Sequence, residues 1–181
     1  MNYNDNETNK SLIAGISSFL RQNGFDCREE ILPATTFLPG VDIRNGAIIY
    51  DAEKLTYPGD LLHEAGHLAV LLPAERQLVN GPENISGSLQ AGAAEMAAIA
   101  WSWAASEFLG LPHRVVFHAG GYRDGSEQLI EQFSKPYNGG AIMGVPLLQW
   151  FGMTTGHEVG KPPGHDTFPK MKYWMRQDQA D

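Results

Sequence analysis

The chain has 181 residues, 43% of them hydrophobic and 19% charged, with a formal net charge of -8 and a pI near 5.2. That is enough apolar material for the core of one globular domain spanning 1–181. The acidic balance argues against a protein that neutralises nucleic-acid phosphates or sits on an anionic membrane surface. The single cysteine, Cys27, leaves no intramolecular disulfide to form, so a reduced, cytoplasmic setting is expected.

Residues 1–10 are rich in Asn and acidic side chains and read as a disordered tail, without the basic-then-apolar order of a secretory signal. From Ser11 to Gln22, Leu12, Ile13, Ile16, Phe19 and Leu20 recur at helical spacing, and Asn23-Gly24 supplies a stop. Asp26 to Leu38 reads as an irregular strand. Val41-Asp42-Ile43 and Ala47-Ile48-Ile49-Tyr50 flank Asn45-Gly46, the signature of a β-hairpin. Asp60 is placed to cap a helix that runs to about Leu72, where Pro73 stops it.

After a loop containing Gly81-Pro82, Ala91 to Leu109 is Ala-rich and strongly helical. A short strand is expected at Arg114 to His118 and a helix near Ser126 to Phe133, followed by an apolar stretch from Ala141 to Phe151. No apolar run approaches the roughly 18 residues of a membrane span. Trp101, Trp103, Trp150 and Trp174 read as core residues.

The chemistry concentrates in His63-Glu64-Ala65-Gly66-His67. Side chains four apart on a helix share a face, so His63 and His67 can present two imidazole nitrogens to one zinc ion. Glu64, between them, can take a proton from a water on the metal and so act as a general base. Leu61, Leu62, Leu68 and Leu72 give the same helix an apolar side for the core.

A catalytic zinc takes three protein ligands and keeps a fourth position for water. Glu95 is the expected third ligand, because it lies among small residues on the next long helix, where an unpaired carboxylate is costly to bury. The alternative for Glu95 is an exposed acid at a helix start, favoured there by the helix dipole. Glu75, Glu83, Glu107, His113, His118, His157 and His165 are competing ligands that no spacing singles out. Two imidazoles and a carboxylate suit zinc, and Fe(II) also uses such a set.

His63, Glu64 and His67 match the His-Glu-x-x-His helix of the zincin metallopeptidases, which the chain therefore resembles over about Gly46 to Pro112. Val70 and Pro73 stand where the metzincin branch has a glycine and a third histidine. The position of Glu95 resembles the gluzincin branch, although Ile99 replaces the aspartate that orients a zinc histidine in its thermolysin-like members. The run Glu95 to Trp101 is more similar to the minimal zincins of the ImmA/IrrE type.

The resemblance implies an α+β zincin-like domain, with a short antiparallel sheet packed on the two ligand helices. It implies a metallopeptidase acting on peptide or protein substrates, with Ala47 to Tyr50 as the edge strand that pairs with the substrate. A non-catalytic zinc module and a hydrolase of non-peptide amides or esters are the rival readings. Tyr122, Tyr137, His118 and His157 are open candidates for steadying an oxyanion. Gly156-His157-Glu158 and Gly164-His165-Asp166 read as solvated loops.

Overall fold

The computed structural model describes residues 6–81, 87, 89–122, 125–134, 142–156, 164 and 166–178. Within them the fold is mixed α+β: seven α-helices and one three-stranded sheet. The first helix, α1 (Asn6–Gln22), buries Ile13, Ile16, Phe19 and Leu20 on one face, as their spacing predicts. It starts earlier than expected, so residues 6–10 are helical and not a disordered tail; Lys10 pairs with Glu53 at 2.8 Å.

The sheet comprises β1 (Cys27–Glu29), β2 (Val41–Arg44) and β3 (Ala47–Tyr50) in the order β1-β3-β2. The Asn45-Gly46 turn joins β2 to β3, with φ of 49° and 75°, the left-handed pair that a two-residue hairpin turn needs. Two sheet expectations need correction. The sheet is mixed rather than antiparallel, because β1 runs parallel to β3 while the hairpin makes β2 antiparallel to it. And β3 is the central strand, so Ala47–Tyr50 offers no edge to a substrate.

The strand expected over Asp26 to Leu38 shrinks to β1, after which the chain turns so that Leu32, 1% exposed, covers Ala47 and Ile49. This explains why all four residues of β3 are buried instead of alternating. Asp51 holds that crossing by accepting hydrogen bonds from Leu32 N (3.0 Å) and Lys54 Nζ (2.8 Å).

The outer edge of β2 is largely spoken for. Val41 N donates to Leu38 O (3.2 Å), Ile43 N to its neighbour Asp42 Oδ1 (2.9 Å), and Gly81 N to Ile43 O (2.9 Å). Turn and loop are stitched further by Gly46 N to Val79 O (3.0 Å) and Asn45 N to Asn80 Oδ1 (2.9 Å). A blunted edge of this kind resists the addition of another strand.

Helix α2 (Asp60–Val70) carries Leu61, Leu62, Ala65, Leu68 and Ala69 into the core, all at 0% exposure. Gly59, not Asp60, occupies the capping position, and the helix ends at Val70 before a short α3 (Pro73–Arg76) that opens on proline. Two arginines receive the C-terminal carbonyls of α2. Arg76 donates to Leu68 O and Leu71 O, each at 2.9 Å, while Arg176 donates its backbone N–H to Ala69 O (2.8 Å) and Nη1 to Val70 O (3.3 Å).

Helix α4 (Ala91–Phe108) packs on α2 through small residues. Trp101, fully buried, anchors it by donating Nε1–H to Trp174 O at 2.9 Å, and Trp103 is 3% exposed. Trp150 departs from its expected core role at 67% exposure. The strand expected at Arg114 to His118 is instead a 3₁₀ turn (His113–Val115) leading into α5 (Ala119–Tyr122), with Val115 N bonded back to Pro112 O at 2.8 Å. Val115, Val116 and Phe117 thus spend their N–H groups on Pro112 and His113 and not on a neighbouring strand. Helices α6 (Ser126–Ser134) and α7 (Val145–Trp150) complete the set, and no helix among the described residues is long and apolar enough to cross a membrane.

Candidate metal centre

The two histidines of α2 and Glu95, in the second turn of α4, meet where these helices cross. His63 Nε2 and His67 Nε2 are 3.2 Å apart, Glu95 Oε2 is 3.1 Å from His67 Nε2, and Glu95 Oε1 is 3.8 Å from His63 Nε2. Ligands about 2.05 Å from a tetrahedral ion stand about 3.3 Å from each other. The His63–His67 and His67–Glu95 separations lie near that value, and the His63–Glu95 distance, measured to the other carboxylate oxygen, is longer. Among the described residues these three form the group of His, Cys, Asp and Glu side chains able to hold a metal ion.

The helices can approach because of residue 66. A Cβ on Gly66 would lie 2.8 Å from Ala98 O and 3.1 Å from Ser102 Oγ, so glycine is what fits there. Ser102, at 0% exposure, ties the crossing by hydrogen bonds to Ala98 O (2.8 Å) and Leu62 O (3.2 Å). Glu95 thus reaches the histidines from a half-exposed position, its side chain 45% accessible against 18% and 12% for His63 and His67. The cluster opens to solvent on the Glu95 side.

Burial, and after it the nearby His67, pull the His63 imidazole down to about 4, so its ring is neutral near pH 7. The hydrogen bond to His67 holds Glu95 below the usual carboxylate range. A neutral imidazole and an ionised carboxylate are the forms that ligate a cation.

Glu64 is 4% exposed, and burial raises it to about 7. It lines a small pocket of about 10 Å³ with Phe37, Leu38, Val41, Asp42 and Ile43, and among the described residues its Oε2 has no hydrogen-bond partner. Among the described residues His67 Nδ1 is likewise buried and unpartnered. Buried polar atoms without partners are costly, and here they adjoin the metal-ligating cluster.

Sequence reasoning listed Tyr122 and His118 only as open candidates for steadying an oxyanion and Asp60 only as a cap, and missed that they stand behind the ligands. Tyr122 OH stands 2.8 Å from His63 Nδ1, and His118 Nε2 stands 2.8 Å from Asp60 Oδ1. Asp60 was legible in principle, because it precedes His63 by three positions and shares its helix face. For Tyr122 no spacing announces the contact. Burial raises the Tyr122 phenol, which stays protonated.

The competing ligands are otherwise engaged. Glu75 caps α3 through Leu72 N (3.2 Å), Glu107 pairs with His113 Nε2 (2.9 Å), and His118 faces Asp60. Glu83, Tyr137, His157, Glu158 and His165 lie outside the described residues. Compared with known proteins, the chain matches no family model, and no curated protein and no solved structure is significantly similar to it.

Proposed function

We propose that the chain is a zinc-dependent hydrolase of the zincin kind, most simply a metallopeptidase, with zinc held by His63, His67 and Glu95. The observation that carries this reading is the convergence of two Nε2 atoms and a carboxylate within 3.1–3.8 Å, with the buried Glu64 beside them on the same helix. Zinc, when bound, supplies Lewis-acid polarisation of a carbonyl and acidifies water. Glu64 is the general base: its carboxylate takes the proton of the attacking water and returns it to the leaving amine. Glu64 itself is 4% exposed, which limits the contact of its carboxylate with bulk solvent.

A second reading, hydrolysis of a short or non-peptide amide or ester, is favoured by the edge of β2. Three of the outward backbone groups of Val41 and Ile43 are already bonded within the chain. An extended polypeptide therefore finds little there to pair with. A purely structural zinc module would leave Glu64 without a use.

Elemental analysis of the wild type and of His63→Ala and Glu95→Ala variants tests the site. One zinc per chain, lost in both variants, is expected. Glu64→Gln should keep the metal and lose turnover of short amide and peptide substrates. Absence of zinc from wild-type protein supplied with it refutes the proposal.

A further inference from the structure

The short helix α5 grips α2 at two points, one turn apart on each helix. At its start, Gly121 N–H donates to His118 Nδ1 at 3.0 Å, which leaves the ring proton on Nε2, facing Asp60 Oδ1 at 2.8 Å. Tyr57 stacks on the same ring, with centroids 3.7 Å apart and planes 10° from parallel, and fixes its orientation. Four residues later, Tyr122 stands edge-on to His63, its hydroxyl 2.8 Å from Nδ1.

The two nitrogens of a neutral imidazole have opposite roles: one carries the proton and the other a lone pair. His63 Nε2 faces His67 and Glu95, so it can ligate only if the proton sits on Nδ1. The Tyr122 hydroxyl is the group positioned to receive that proton. Among the described residues His67 has no such help, since its buried Nδ1 has no partner there. Of the two histidines, His63 is the one whose Nδ1 meets a partner among the described residues.

We infer that Tyr122 is a positioning residue for the metal site. Its hydroxyl accepts a hydrogen bond from His63 Nδ1–H and so presents Nε2 to the cation, while the His118–Asp60 bond keeps α5 docked for that purpose. A phenol here takes the part that a carboxylate or backbone carbonyl commonly plays behind a metal-bound histidine. The inference rests on the metal reading proposed above.

The test joins two readouts on Tyr122→Phe, which removes one oxygen and keeps the ring. Zinc affinity, measured by chelator competition, should weaken about 10- to 100-fold. In the metal-free protein, nitrogen-15 NMR of the histidine rings should show His63 gaining the Nε2–H tautomer. An affinity within twofold of wild type, or an affinity loss with the tautomer unchanged, overturns the inference, because the hydroxyl would then act through packing alone. Should that variant fail to fold, His118→Ala loosens α5 at its other end and must shift the His63 tautomer the same way; an unchanged tautomer again overturns it. No zinc uptake by the wild type sinks the proposed function and this inference together. Uptake undiminished by Tyr122→Phe sinks this inference alone.

Discussion

Gly66 lies so close to Ala98 that a Cβ on it would stand 2.8 Å from the alanine carbonyl oxygen. The obstacle is helix backbone, which cannot swing aside as a flexible side chain would. Alanine gains about 1 kcal/mol of helix propensity over glycine, but overpacking costs about 1–3 kcal/mol. We expect Gly66→Ala to lose about 1 kcal/mol net and Gly66→Val more, with weakened zinc uptake as Glu95 is pushed from the histidines. Urea denaturation measures the first effect, and a stabilised alanine variant would contradict the packing argument.

Arg76 donates to Leu68 O, Leu71 O and Arg176 O, so it joins the end of the metal-bearing helix to the C-terminal segment. Hydrogen bonds from a charged donor are worth about 1.5–3 kcal/mol. Arg76→Ala should lose stability in that range by chemical denaturation. Arg76→Lys should recover only part of it, since an ammonium cannot reproduce the planar fork. Full recovery by lysine would show that charge alone matters.

Asp51 gives the fold an acid-sensitive joint. The Lys54 hydrogen bond first, and the Leu32 backbone bond next, hold its carboxyl below the ordinary value of 3.8. A depressed folded-state value means stabilisation that is fully present above 3.8 and is lost as pH falls through the lower folded value. Asp51→Asn should therefore melt lower than wild type near pH 7, with a flatter decline of Tm as pH falls below the ordinary value of 3.8. Parallel acid profiles for the two proteins would remove Asp51 from the acid response.

If zinc binds the folded chain alone, it must stabilise that chain by mass action. Free zinc at a hundred times Kd adds about 2.7 kcal/mol, and a chelator should take it away. Thermal melts should show a zinc-dependent rise in wild type and none in His63→Ala. Equal shifts in both proteins would place the binding elsewhere.

Much of the local structure was legible in residue order. Apolar spacing gave α1, apart from its first five residues, and α6, alanine content gave α4, and Asn45-Gly46 announced the hairpin, because these signals depend on neighbours along the chain. The 3₁₀ turn at His113–Val115 was misread as a strand, since Arg114 to His118 is rich in β-branched and aromatic residues and no sheet neighbour was there to receive it. Trp150 was misplaced for a similar reason: its type favours burial, but the faces α7 buries are those of Val145 and Leu148.

By itself, the sequence indicated that His63, Glu64 and His67 share a helix, through the leucines that run along it and the proline that stops it, and on a helix residues four apart share a face. It also put Glu95 on a second helix of small residues that tolerates close approach. Only the tertiary structure decided that the Glu95 carboxylate comes within 3.1 Å of His67, that Tyr122 backs His63, and that β3 is central while the edge of β2 is closed. These are contacts between segments far apart in the chain. They depend on how helices cross and strands order, which no local pattern encodes.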